Sequence, residues 1–187
     1  MKTNKVLGID PGLDRTGWAI IEKGPAGVLL TAAGLIHTDK DLPFQERLKQ
    51  TYENVQEIIT KFQPEVAALE VMFFLKRAMT MSHTIQTRGV IMLALAQNNL
   101  PVYEYPAKRV KLTISGNGAA DKKQMQRMVQ LTLKLKEVLK PDDVADAAAI
   151  ALCHIKSAPL AAQIKLKQDF LSRLAAAKQA QIKKIIK

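Results

Sequence analysis

The chain has 187 residues, 48% of them hydrophobic, a formal net charge of +11 and a pI near 9.8. That length supports one packed domain and is short for two, and the hydrophobic share excludes a disordered chain. The basic balance calls for a polyanionic partner, nucleic acid first and an anionic membrane surface second. The single cysteine, Cys153, excludes an intramolecular disulfide and fits a reducing compartment.

In chain order, the apolar run Lys5 to Ile9 reads as a central strand with Asp10 at its tip, where Pro11 and Gly12 force a turn. Thr16-Gly17 leads into a second strand, Trp18 to Ile21, returning antiparallel, and after the turn at Gly24-Pro25-Ala26-Gly27 a third strand follows over Val28 to Ile36. The spacing of Phe44, Leu48, Tyr52, Val55, Ile59 and Phe62 predicts a helix from Pro43, closed by Pro64. Val66 to Leu69 is a second buried-type strand ending in an acid, Glu70. Ser82 to Gln97 reads as a helix whose second half is apolar nearly all round, in the core or at a subunit contact. Pro101 to Tyr105 is a further strand. Asp121 and Gln124 have the pattern of a reciprocal N-cap for a helix reaching about Leu139, and Asp142 to Asp146 opens a last core helix running through His154. An antiparallel meander followed by strands alternating with helices predicts an α/β mixed sheet flanked by helices. No apolar stretch has signal-peptide form or membrane-spanning length, so a cytoplasmic protein is expected.

The acids form a candidate site. Asp143 and Asp146 are three apart and share one helix face. Either Asp142 or Asp143 also suits a helix start, but Asp146 sits deeper, among Val, Ala, Ile and Leu. Carboxylates crowded there resist ionisation unless a cation neutralises them. With the tip acids Asp10 and Glu70 they suit hard divalent ions, which take oxygen ligands. Two such ions can activate a water and stabilise the leaving oxygen of a phosphodiester. Taken alone, Asp10 is equally well explained as a residue that shapes its turn.

Gly8-Ile9-Asp10-Pro11-Gly12 with Thr16-Gly17-Trp18, Leu69-Glu70 with Phe73, Tyr105-Pro106-Ala107 with Val110-Lys111, then Gly116, Gly118 and Lys122, and Asp143-Val144-Ala145-Asp146-Ala147 follow one another in an order that resembles the RuvC-type Holliday junction resolvases, over roughly residues 5 to 156. The resemblance implies an RNase H-like fold, a homodimer, and symmetrical cleavage of four-way DNA junctions. It further implies two Mg2+ ions per site, with Mn2+ able to substitute, held by Asp10, Glu70, Asp143 and Asp146. A branch-migration motor complex is the further partner that the resemblance suggests.

Lys111 and Lys122 fall where that family places basic residues near the scissile phosphate; otherwise both read as solvated lysines. Lys122 also lies at a helix N-terminus that favours anions. Phe73 resembles the aromatic that contacts unpaired bases, with Lys76 and Arg77 suited to adjacent phosphates, although Met72-Phe73-Phe74 equally suits a core. Leu75 to Thr84 departs from the family pattern in its Met content. Lys108, Arg109 and Lys123 complete the expected DNA-binding set, and Arg88-Gly89 resumes the pattern in the helix that forms the family's dimer interface.

Residues 1–156 are expected to form the nuclease domain and 157–187 a basic, helical extension. That extension carries seven basic residues against Asp169, a net of +6 that leaves +5 for the rest. Leu166, Phe170 and Leu174 give it an amphipathic face for DNA, a partner helix or a membrane surface, with a solvated tail as the plain alternative. Two other functions compete. A non-catalytic DNA-binding module of this fold predicts loss of some acids, and all four are present. Gly-Ile-Asp-x-Gly also opens actin-like and sugar-kinase ATPases, but those need two such domains.

Overall fold

The computed structural model describes residues 4–71 and 78–157. The chain divides into two units, Met1–Ile155 and Lys156–Lys187, and the sheet belongs to the first. Strands β1 (Asn4–Asp10), β2 (Arg15–Gly24) and β3 (Gly27–His37) form the expected meander; β4 (Val66–Glu70) and β5 (Val102–Tyr105) extend it on the other side of β1. The sheet order is β3-β2-β1-β4-β5, antiparallel across β1, β2 and β3 and parallel across β1, β4 and β5. The mixed α/β sheet read from the sequence is the one observed.

Alternation along each strand divides the core in two. Leu7, Ile9, Ile20 and Leu69 face one way, onto α1 (Phe44–Phe62) and α2 (Ala78–Gln97), where they meet Val55, Ile59, Ile91 and Leu95. Val6, Ala19, Ile21 and Ala68 face the other way, onto α3 (Ala107–Ser115), α4 (Lys122–Thr132) and α5, residues 142–157. Cys153 is a buried member of this second core. Among the described residues no helix is long and apolar enough to cross a membrane.

Three local readings change, and one helix is new. Helix α1 turns its buried line through Arg47, Thr51, Val55, Ile58 and Ile59, leaving Phe44, Leu48 and Tyr52 only half-buried. Arg47 is accommodated by donating to Thr38 Oγ1 at 3.0 Å and pairing with Asp14, so a buried cation braces the loop beyond Asp10. Helix α2 starts at Ala78, ahead of the expected Ser82, and its Leu93 is 53% exposed. Helix α3 was not legible from periodicity, being short, though Pro106 before it and Gly116 after it, at φ 75°, are ordinary boundary residues. Helix α4 opens with the expected capping box between Asp121 and Gln124 but stops at Thr132, short of Leu139. Lys134 adopts φ 53°, and the Gln130 amide instead donates to the carbonyls of Leu135 and Lys136 at 3.2 and 3.0 Å.

Candidate active site

Parallel pairing sets Ile9 beside Leu69, so the next residues, Asp10 and Glu70, lie together at adjacent strand tips. Each continues the alternation of Gly8 or Ala68 and belongs to the sheet face that α5 covers. The turn after Asp10 is closed by Thr16, whose buried hydroxyl donates to the Gly12 carbonyl at 2.7 Å and accepts from the Gly12 N–H at 3.2 Å.

Helix α5 approaches this face as closely as a backbone can. A Cβ at Gly17 would stand 2.0 Å from the Asp143 carbonyl oxygen, and one at Gly8 would stand 2.1 Å from that of Ala147. Two glycines on neighbouring strands therefore seat the first turns of α5, and with them Asp143 and Asp146, against the tips bearing the other two acids. Asp142 and Asp143 lie within the first turn of α5, where the helix dipole favours carboxylates.

Two cations thread the cluster. Arg15 Nε lies 3.1 Å from Asp143 Oδ2 and its Nη2 3.6 Å from Asp142 Oδ1. Lys122, the first residue of α4, pairs with Asp142 and reaches Asp146 Oδ2 at 3.6 Å. A cavity of about 260 Å3 opens beside them, lined by Glu70, Lys111, Lys122 and Asp146 over an apolar floor of Val110, Met125 and Ile150.

The acids feel one another strongly. Burial pushes the Asp10 carboxyl from its ordinary 3.8 up to about 7; the charges of Asp146, Glu70 and Asp143 add to the rise, and Lys122 opposes it. Glu70 is also raised, first by burial and then by Asp146, against the pull of Lys111 and Arg88. Burial raises Asp146, with Lys122 opposing it and Asp142 and Asp143 adding to the rise. The bond between Lys122 and Asp142 raises the lysine and lowers the half-buried aspartate. A set of carboxylates that cannot all ionise cheaply is a set that a polyvalent cation stabilises.

A family model described as crossover junction endodeoxyribonuclease RuvC matches residues 6–154. The chain belongs to this family. It is 42% identical to the crossover junction endodeoxyribonuclease RuvC of Roseiflexus sp., over 88% of this chain and 98% of that protein. It is 47% identical to that of Chloroflexus aggregans, over 83% and 94%. The solved structure of T. thermophilus RuvC in complex with a Holliday junction substrate matches with a TM-score of 0.79 at 32% identity, covering 84% of this chain and 96% of that one.

Membership of the RuvC family implies dependence on a divalent metal, and the residues present fit one. Asp143 Oδ2 is buried without a hydrogen-bond partner, because Arg15 Nε is near enough to pair with it but not aligned to donate. The donors are all hard oxygens. Among the described residues no three acidic, histidine or cysteine side chains are drawn tightly enough to hold an ion as they stand; Arg15 and Lys122 engage the carboxylates of α5 instead.

Of the other expected site residues, Lys111 and Lys122 line the cavity. Arg109 is exposed and lies over the Tyr105 ring, 5.7 Å from its centroid. Lys108 is exposed beside Gly118. Lys123 rims a second groove between α3 and α4, of about 480 Å3, with Ser115, Asn117 and Arg127. Phe73, Lys76 and Arg77 lie outside the described residues. Sequence reasoning missed Arg15, whose spacing from Asp143 is purely tertiary, and the close-approach role of Gly8 and Gly17. The glycines stood in the quoted motifs, but nothing local reveals what presses on them.

Proposed function

We propose that this protein is a structure-specific endonuclease that resolves four-way DNA junctions in recombination and repair by metal-dependent phosphodiester hydrolysis. The observation that carries this reading is the meeting of Asp10 and Glu70, on parallel strand tips, with Asp143 and Asp146 on the helix seated against Gly8 and Gly17. In our reading these four acids hold two divalent ions, Mg2+ by preference and Mn2+ as a substitute. Bound there, such ions supply an activated water and stabilisation for the leaving oxygen.

The protein's own groups do the rest. The strand tips fix Asp10 and Glu70, and α5 presents Asp143 and Asp146 from the opposite side. Lys111 and Lys122 border the cavity and bind the scissile phosphate, where their charge also offsets charge developing in the transition state. Lys122 exchanges its carboxylate partners for the phosphate when DNA enters. Lys108, Arg109 and Lys123, exposed on α3 and α4, contact flanking phosphates, so affinity falls steeply with salt. Phe73, with Lys76 and Arg77, is assigned to the junction centre.

Symmetrical cutting requires two sites, and we propose a homodimer formed through α2. Its exposed Ile85 and Leu93 flank Gly89, where a Cβ would meet nothing within 4 Å, and this apolar stripe favours a second copy. We further assign residues 1–156 to the nuclease, the basic segment 157–187 to contacts with DNA arms or a motor partner, and the protein to the cytoplasm.

The test is cleavage in Mg2+ of a synthetic mobile four-way junction beside a linear duplex of matched sequence, with Asp10→Asn as control. Paired symmetrical nicks on the junction alone, lost in the control, are expected. Tight junction binding with no nicks in Mg2+ or Mn2+ would make the protein a binding module instead.

A further inference from the structure

Glu70 is the last residue of β4, and the peptide that follows it is held from both sides. The Val71 N–H donates to the Tyr105 carbonyl at 2.9 Å, which fixes that peptide to β5. The Glu70 carbonyl, at the other side of the same planar unit, accepts from Arg88 Nη1 at 2.8 Å. Arg88 is a residue of α2, remote in sequence from β4, and its guanidinium is also paired through Nη2 with Glu104 of β5. The side chain is only 13% exposed. Glu104 stands opposite Leu69 in the parallel register, so one guanidinium joins α2, the tip of β4 and its neighbouring strand.

We propose that Arg88 is a positioning residue for the metal site: by holding the 70–71 peptide it sets where the Glu70 carboxylate stands relative to Asp10, Asp143 and Asp146. The physical case is one of satisfaction and rigidity. A carbonyl at a strand end has no further ladder donor, and without one the 70–71 peptide is held from the β5 side alone and can tilt, shifting the adjoining side chain. A planar fork anchored on Glu104 supplies that donor with little residual freedom. The same bond connects the site to α2, the helix bearing the exposed Ile85 and Leu93. Side chains that orient metal ligands in this way typically change metal affinity by roughly 10–100-fold when removed.

This inference rests on the metal-site reading above, and its test separates the two. Mn2+ binding to the full chain without DNA is followed by the electron paramagnetic resonance of the free ion, for wild type, Arg88→Met, Arg88→Lys and Asp146→Asn. Arg88→Met is expected to weaken Mn2+ binding by roughly 10–100-fold, with Arg88→Lys recovering part of the loss through a single donor. Metal-free junction binding by Arg88→Met should stay near wild type. Unchanged Mn2+ affinity in Arg88→Met, with binding lost in Asp146→Asn, would overturn the role of Arg88 and leave the metal site standing. Unchanged affinity in Asp146→Asn would overturn both. Should thermal melting show that Arg88→Met does not fold, Glu104→Gln takes its place, since it frees the guanidinium without removing it. A smaller loss of Mn2+ affinity supports the proposal there, and none contradicts it.

Discussion

On one face of the sheet, Leu7, Ile9, Ile20 and Leu69 meet α1 and α2 through branched side chains; on the other, Gly8 and Gly17 let the alanine-rich α5 come down onto the strands themselves. The first face is held by volume, since each fully buried Leu or Ile contributes about 1.5–3 kcal/mol by leaving water. On the second, proximity governs the strip under Gly8 and Gly17, where Ala147 to Ala149 and Ala151 fill the little space available, while Val6, Ile21, Val129, Ile150 and Leu152 pack the rest by volume. The difference follows from what each face carries. Carboxylates on short side chains can act together only if the backbones bearing them are close, so the acidic face gives up bulk for distance. Removal of volume should therefore injure either core, whereas addition of volume should be felt most at the glycine seat.

The largest effect should come from the acids themselves. Asp146→Asn is expected to lower junction cleavage by about 1,000-fold or more, on the basis that bound metal supplies several kcal/mol of transition-state stabilisation. Junction binding should remain, and a cleavage rate near wild type would remove Asp146 from the site. On the opposite face, Leu95→Ala should cost about 2–5 kcal/mol in denaturant unfolding, as for other buried leucines. Cleavage below the melting transition should persist in that variant; loss of cleavage while it remains folded would contradict the division of labour.

Protons provide a third contrast. The folded protein holds a proton on Asp10 up to about pH 7, whereas an unperturbed Asp releases it near 3.8. The raised value means that the folded state binds the proton more tightly, so the associated stability is fully present below about pH 3.8 and is lost as pH rises from there to about 7. Metal-free protein should thus lose roughly 2–4 kcal/mol across that window. Asp10→Asn should flatten the profile, and added Mg2+ should restore stability above pH 7. A profile that is equally steep in Asp10→Asn would assign the titration elsewhere.

The smallest change in energy concerns the glycine seat. Gly17→Ala adds one methyl group against the Asp143 carbonyl and should cost about 1–3 kcal/mol of stability. Its effect on cleavage should be out of proportion to that cost, because α5 must retreat. A variant that is destabilised yet cleaves normally when folded would show that the close approach serves packing alone.

Much of this arrangement was legible from residues alone. Asp10 before Pro11 and Gly12, and Glu70 after Val66 to Leu69, revealed themselves as strand-tip acids because strand ends have local chemistry. Asp146 was conspicuous because a carboxylate among alanines demands an explanation. The Asp121–Gln124 cap likewise depends only on neighbours. What escaped was tertiary: Arg15 reaching across to α5, Arg88 reaching the Glu70 carbonyl, and Arg47 buried on a helix face that the apolar pattern had drawn a little too far round. The overlong reading of α4 has the same origin. Its apolar residues continue to Leu139, and only the left-handed turn at Lys134 and the side chain of Gln130 end the helix early.

Whether proximity on the glycine face builds a metal site can be seen in crystals grown in Mn2+ and measured at its absorption edge. Anomalous peaks bounded by Asp10, Glu70, Asp143 and Asp146, with Lys122 turned away from Asp146, are expected. Active protein whose Mn2+ scatters elsewhere, or nowhere, would contradict it.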